Sequence, residues 1–377
     1  MKWLFTSLWF PLCVFSAPAQ VVHFVFTSDL HYGITRPHFR GQDGVASSVV
    51  NAAQAAAINS LHNEGIKFIE AIIVTGDIAN REEAGIQPAA ISWKQFLHDY
   101  QAGIKTKNAK DRPTSLFVTP GNHDASNAVG HPKITLRDAS SMTGMLSMMD
   151  GHKIDTATFN YYADKVNYSR NIRGVHLIFI DIWPDSANRL WIEKDLAAVN
   201  ENTPVLLFTH DPPQGDAKHF TNPDAGYVIS GDDRFENLLE EVYKDTIAKS
   251  TIMEQKGLIA LLKRHPNIKA WFHGHENFCE MYHYTGLQHE ISLPVFRSDS
   301  PMKGKISRED ETKLSFQLIS IDTNKKILTV RECLWNTVRR QGKIFWATTS
   351  AIHLLTPCSR RVSRSGRKGA ADTTKDM

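Results

Sequence analysis

Aspartate, asparagine and histidine recur at short, separated positions along this chain: Asp29 with His31, Asp77 alone, Asn122 with His123, His210 alone, and His273 with His275. Imidazole and carboxylate together suit Zn, Fe or Mn, whereas an all-oxygen set would suit Ca or Mg. Two such divalent ions about 4 Å apart can clamp a phosphoryl group and lower the pKa of a bridging water. Asp77 is the natural bridge, because one carboxylate offers an oxygen to each ion. Asp29 and His31, two residues apart, can converge on one ion, and Asn122, His210 and His275 would hold the other. His123 follows a ligand directly and is better placed to meet substrate. A protonated imidazole there would stabilise phosphoryl oxygens or protonate a leaving alkoxide. Asp124 and Asn80 are the two residues available to orient it.

Each of these positions closes a strand-like run. Val21–Ser28, Ile69–Thr75, Leu116–Thr119, Val205–Thr209 and Ile268–Phe272 are β-branched and aromatic, and the middle ones are nearly continuous apolar runs, as strands covered on both faces should be. Val175–Ile180 ends the same way at Asp181. Helical spacing marks residues 46–63, Ile91–Tyr100, Arg189–Val199 and Ile252–Lys263. Leu314–Ile321 and Lys326–Glu332 flank Asp322-Thr323-Asn324, a hairpin turn. Alternating strands and helices imply an α/β body, with ligands bound beyond the carboxyl ends of the strands. One Asp or His after a strand is ordinarily a turn residue; the same coincidence after five strands marks a site. His23, His62, His98, His176 and His265 lack that placement and read as structural, and Asp181 reads as a turn cap.

With those residues in place, the chain resembles the calcineurin-like metallophosphoesterase superfamily. The motifs that carry the resemblance are Asp29-Leu30-His31, Gly76-Asp77, Gly121-Asn122-His123-Asp124, the lone His210, and Gly274-His275-Glu276-Asn277, spread over about residues 21–335. The resemblance implies a four-layer αββα sandwich, a dinuclear site at the strand carboxyl ends, and hydrolysis of phosphomonoesters or phosphodiesters by a metal-bound hydroxide. It implies the same ligand set as the residues themselves. It also implies a closing histidine where this chain has Asn277, at a position that ligates the ion of Asp29 and His31. An amide oxygen binds more weakly and prefers harder ions, which leaves the first site weaker, differently filled or empty. His273 is a spare imidazole that could substitute. Asn80 stands where the purple acid phosphatases carry tyrosine, so no tyrosinate-iron colour is expected.

Charge and termini bound the rest. Net charge is +3, but residues 337–377 carry +7 and leave the remainder at −4. A mildly acidic body argues against nucleic acid as the main partner; the partner that the resemblance implies is a small-molecule phosphate ester. Lys2, the apolar run Trp3–Phe15 and Ala17-Pro18-Ala19 read as a signal peptide over residues 1–19, which implies a secreted or periplasmic protein. No run is long enough to span a membrane. Residues 20–335 form the catalytic domain and 336–377 a basic, partly disordered tail. Past the leader Cys279, Cys333 and Cys358 remain, too few for a disulfide framework. The acid-rich loop His210–Arg234 is a candidate for substrate contacts. Two other readings stay open: a non-catalytic metal- or phosphate-binding member of the superfamily, and an extracellular nuclease.

Overall fold

Runs of Val, Ile, Leu and Phe build two six-stranded sheets in the computed structural model, which describes residues 21–82, 85–131, 136–220, 235–240, 251–337 and 343–355. The strands are β1 (Val21–Thr27), β2 (Thr35–Phe39), β3 (Gln42–Ala46), β4 (Ala71–Thr75), β5 (Ser115–Thr119), β6 (Tyr168–Ile172) and β7 (Val175–Phe179). They continue with β8 (Val205–Phe208), β9 (Ile268–His273), β10 (Glu280–Tyr284), β11 (Leu293–Arg297), β12 (Ser315–Asp322), β13 (Ile327–Leu334) and β14 (Phe345–His353). The helices are α1 (Ser47–Asn59), α2 (Ala89–Phe96), α3 (Asn122–Val129), α4 (Ser140–Met149), α5 (Ser186–Leu196) and α6 (Thr251–Arg264).

One sheet runs β14-β13-β12-β1-β4-β5 and the other β10-β11-β9-β8-β7-β6, with β2 and β3 a separate hairpin. β1, β4 and β5 are parallel to one another, as are β7, β8, β9 and β11. Parallel neighbours end at the same edge, so the residue that follows each strand is delivered to a shared rim. Every residue of β4, β7 and β8 is buried, so both faces of these strands are covered. The inner faces meet through aromatic rings: Phe26 lies edge-on to Phe208 and Phe272, and Phe117 packs on Phe179. A fully buried Phe contributes roughly 1.5–3 kcal/mol by leaving water. Helices supply the outer layers, α2 packing on α4 and α5 on α6. This is the αββα layering that the resemblance implies.

The helix expected over 252–263 is α6, and the expected hairpin is β12–β13, whose turn is held by Asp322 Oδ1 accepting from the Asn324 and Lys325 N–H groups. The boundary drawn at 335 is corrected. Phe345–His353 pairs antiparallel with β13 and forms the edge strand of the first sheet, so the folded body extends through His353. Its alternating exposure is that of an edge strand, and the charge of the surrounding segment masks it in the sequence. The proposed leader (1–19), the loop residues 221–234 and the tail from 356 onward lie outside the described residues. Among the described residues no helix is long and apolar enough to cross a membrane.

Candidate metal centre

The loops after β1 and β4 are hydrogen-bonded to each other through backbone: the Asp29 N–H donates to Gly76 O at 3.0 Å and the His31 N–H to Asp77 O at 2.8 Å. Asp29, His31, Asp77, His275 and Asn277 all adopt positive φ, between 42° and 68°. Left-handed backbone is unfavourable for residues with a Cβ, and its concentration at one rim marks a functional constraint. Two motif glycines explain how the loops approach so closely. A Cβ on Gly121 would collide with Asp77 and His210, and one on Gly274 would collide with Ser28 and Asp29.

Asp77 sits at the centre. Its Oδ2 lies 3.6 Å from His31 Nε2, while its Oδ1 lies 3.5 Å from His210 Nε2 and accepts from the His123 N–H at 2.9 Å. The carboxylate therefore turns one oxygen to each side, as a bridge must. Burial alone would raise its pKa, but the imidazoles of His210, His123 and His31, with the Lys303 ammonium, hold it well below the usual carboxylate range.

On the first side, Asp29 Oδ2 accepts from the His275 N–H at 2.9 Å, while Oδ1 is buried without a partner and lies 3.8 Å from His31 Nε2. Both ring nitrogens of His31 are buried and unpartnered. Asn277 donates through Nδ2 to the His275 carbonyl at 2.8 Å, and its Oδ1 is also buried and unpartnered. Orphaned polar atoms in a dry pocket are unfavourable unless something coordinates them. On the second side, His210 Nδ1 donates to Thr75 O at 2.7 Å, which fixes the tautomer and aims Nε2 at Asp77 and at Asn122 Oδ1, 3.2 Å away. Burial would lower the His210 pKa, yet Asp77, Asp29 and Asp211 push it up to about 9. A pocket that protonates a buried imidazole is one that calls for a cation. The donor set fits divalent metal on both counts.

His275 stacks edge-on to His210 at 5.1 Å between ring centres, and its Nε2 lies 2.9 Å from Asp216 Oδ2. Asn122 Nδ2 donates to Glu236 Oε2 at 3.2 Å, and Glu236 also accepts from Arg81 at 2.7 Å and Ser126 at 3.2 Å. These outer carboxylates fix which face of each side chain is presented. Asp216 was legible in the acid-rich loop, whereas Glu236, past the end of that loop, carried no signal.

Asp29, His31, Asp77, Asn122, His123, His210 and His275 are thus brought together, with Asn277 tied to His275. His273 is not. Its Nδ1 pairs with Gly274 O at 2.9 Å and its Nε2 with Tyr282 OH at 3.2 Å, so the spare imidazole that could have substituted for the closing histidine is engaged elsewhere. The orientation of His123 is corrected as well. Asp124 accepts instead from the N–H groups of Ile78, Ala79 and Gly121, and burial next to Asp77 pushes its pKa up to about 7. Asn80 donates to Arg81 O. His123 Nδ1 accepts from the Arg81 N–H at 2.8 Å, which leaves its proton on Nε2. Burial, reinforced by Lys303 and His31 against the pull of Asp77, keeps the imidazole neutral. Its side chain is 18% exposed against 1% for His31, so His123 faces the approach to the pocket. The histidines read as structural are satisfied locally: His23 by Ser320, His62 by Asn59, His98 by Asp99, His176 by Asn171 and Asp195, and His265 by Glu193. Asp181 accepts from Tyr161 OH and the Val166 N–H, so its carboxylate is structural as expected, but it ties back to the segment before β6 and not to the turn that follows it.

Two stacked sheets that deliver histidines and carboxylates to one rim define the class of the metal-dependent phosphoesterases. The chain belongs to the calcineurin-like phosphoesterase family, whose model matches residues 22–278. Similar solved structures include Vps29 of Chaetomium thermophilum, 8% identical over 91% of this chain and 99% of that one with a TM-score of 0.33. Another is the calcineurin-like phosphoesterase YfkN of Bacillus subtilis, 13% identical over 90% of this chain and 93% of that one with a TM-score of 0.32. No curated protein sequence matches the chain.

Proposed function

We propose that this protein is a secreted phosphohydrolase that cleaves phosphate esters with two divalent metal ions. The observation that carries this is the split carboxylate of Asp77, with one oxygen toward His31 and the other toward His210. Asp29, His31, Asp77 and the Asn277 amide oxygen would hold the first ion; Asp77, Asn122, His210 and His275 would hold the second. When bound, such ions supply Lewis-acid neutralisation of the phosphoryl oxygens and an activated water. The protein's own part is positional. Thr75, Asp216 and Glu236 lock the rotamers and tautomers of His210, His275 and Asn122. His123, neutral with its proton on Nε2, donates a hydrogen bond to a phosphoryl oxygen as negative charge grows there. Secretion rests on Lys2, the run Trp3–Phe15 and Ala17-Pro18-Ala19.

Chelator-stripped protein should be inert toward p-nitrophenyl phosphate and bis(p-nitrophenyl) phosphate and regain turnover on at least one as Mn, Zn or Fe is added. No turnover at any loading would leave the binding-only reading, which Asn277 in place of a closing histidine favours.

A further inference from the structure

We infer that Asp211 is a further ligand to the second metal ion, an inference that rests on the proposed two-metal reading. Asp211 follows His210 beyond β8, and its main chain is pinned on both sides. The Asp211 N–H donates to Ile182 O at 2.8 Å, and Trp271 Nε1 donates to Asp211 O at 3.1 Å. Trp183 Nε1 donates to the next carbonyl, Pro212 O, at 3.1 Å. The residue is fully buried, and its two carboxylate oxygens have different surroundings. Oδ2 lies 2.7 Å from His219 Nδ1; an ionised carboxylate only accepts, so the imidazole donates. Oδ1 has no hydrogen-bond partner.

Beside that free oxygen stand the ligands of the second ion. His275 turns Nε2 to Asp216 Oδ2 at 2.9 Å, which leaves Nδ1 as its ligand nitrogen, and Asp211 Oδ1 lies 3.9 Å from that Nδ1. Two atoms on one ion stand apart by no more than twice a metal–ligand bond, about 4.2 Å, and this pair falls inside that span. One donor atom each of His210, Asp211 and His275 lies within 4.8 Å of the others. An anionic oxygen left dry and unpaired is costly unless a cation meets it, which is also the condition of Asp29 Oδ1 on the other side of Asp77. With Asp211 the second ion has five protein donors: Asp77, Asp211, His210, His275 and the Asn122 amide oxygen. The first has four, Asp29, His31, Asp77 and the Asn277 amide oxygen. The additional carboxylate makes the second site the tighter of the two and the first to fill.

The competing role for Asp211 is to hold His219 and nothing more, and asparagine separates the two. In Asp211→Asn the side-chain Oδ1 still accepts from His219 Nδ1, while Nδ2 has no lone pair to give an ion. Chelator-stripped wild type, Asp211→Asn and Asp211→Cys would be titrated with Co(II), followed by calorimetry and by near-ultraviolet absorption. Asp211→Asn should weaken the tighter equivalent at least on the order of 10- to 100-fold and leave the weaker one near its wild-type affinity. Asp211→Cys should show a thiolate-to-cobalt charge-transfer band with the first equivalent, because a thiolate is a metal ligand in its own right. Wild-type affinities in Asp211→Asn, or no such band in Asp211→Cys, would overturn the assignment and leave the two-metal reading standing. A wild type that takes up no cobalt would remove the two-metal reading, and this ligand with it.

Discussion

Asn277 donates its side-chain amide to the main-chain carbonyl of His275 at 2.8 Å, and this single bond decides which of its amide atoms is left to hold an ion. With Nδ2 committed, Oδ1 is the buried, unpartnered atom, two residues along the chain from the His275 N–H that donates to Asp29. An amide oxygen where an imidazole would be expected shifts preference from Zn toward Mn. Asn277→His should therefore raise Zn affinity at the weaker site, and Asn277→Ala should lower Mn content. His273→Ala should leave both unchanged, since its ring is engaged by Gly274 and Tyr282. Competition titration of Mn against Zn on the three variants is the check. Two equal Zn sites in the parent protein, unmoved by Asn277→His, would contradict this reading.

His123→Ala should keep its metals and lose rate by about 10²–10³, the range for removing one donor to a developing oxyanion. Because the Arg81 N–H occupies Nδ1, the ring acts as a neutral hydrogen-bond donor and not as an imidazolium acid. The loss should then be similar for nitrophenyl and alkyl leaving groups. A much larger loss on the alkyl ester would restore the role of proton donor.

Asp299 gives the protein a pH signature. Burial pushes its carboxyl up to about 8, against the pull of Ser307, the Ser300 backbone and Arg36. In the unfolded chain its pKa is about 3.9. Between those values the folded state holds the extra proton, so this contribution to stability is complete below about 4 and is lost as pH rises toward 8. The slope is at most about 1.4 kcal/mol per pH unit. Asp299→Asn, neutral at every pH, should gain stability relative to wild type between pH 5 and pH 8. Melting curves that stay parallel across that range would rule the effect out.

The rim was legible in the sequence because β1, β4, β5, β8 and β9 are short, largely buried runs, each followed within three residues by its Asp, Asn or His. Parallel pairing then forces those residues together. Helix α3 was missed because it begins inside a motif, at Asn122 itself, where the chemistry of the residues hides their helical role. Lys303 and Glu236 were illegible for another reason. They lie in irregular connections, and only tertiary hydrogen bonds from Asp29, Asn277, Asn122 and Arg81 bring them to the pocket. The protonation of His123 depends on a main-chain N–H of Arg81, which no side-chain pattern encodes.

If Asp77 joins two metal sites, Asp77→Asn should part them. Asparagine keeps the shape but offers one oxygen and an N–H in place of two anionic oxygens. Metal content by inductively coupled plasma analysis, read beside phosphate-ester turnover on the same samples, is the decisive measurement. Wild type should hold about two equivalents and the variant at most about one, with turnover lower by several orders of magnitude. An Asp77→Asn protein that retains two equivalents and near-normal turnover would contradict it.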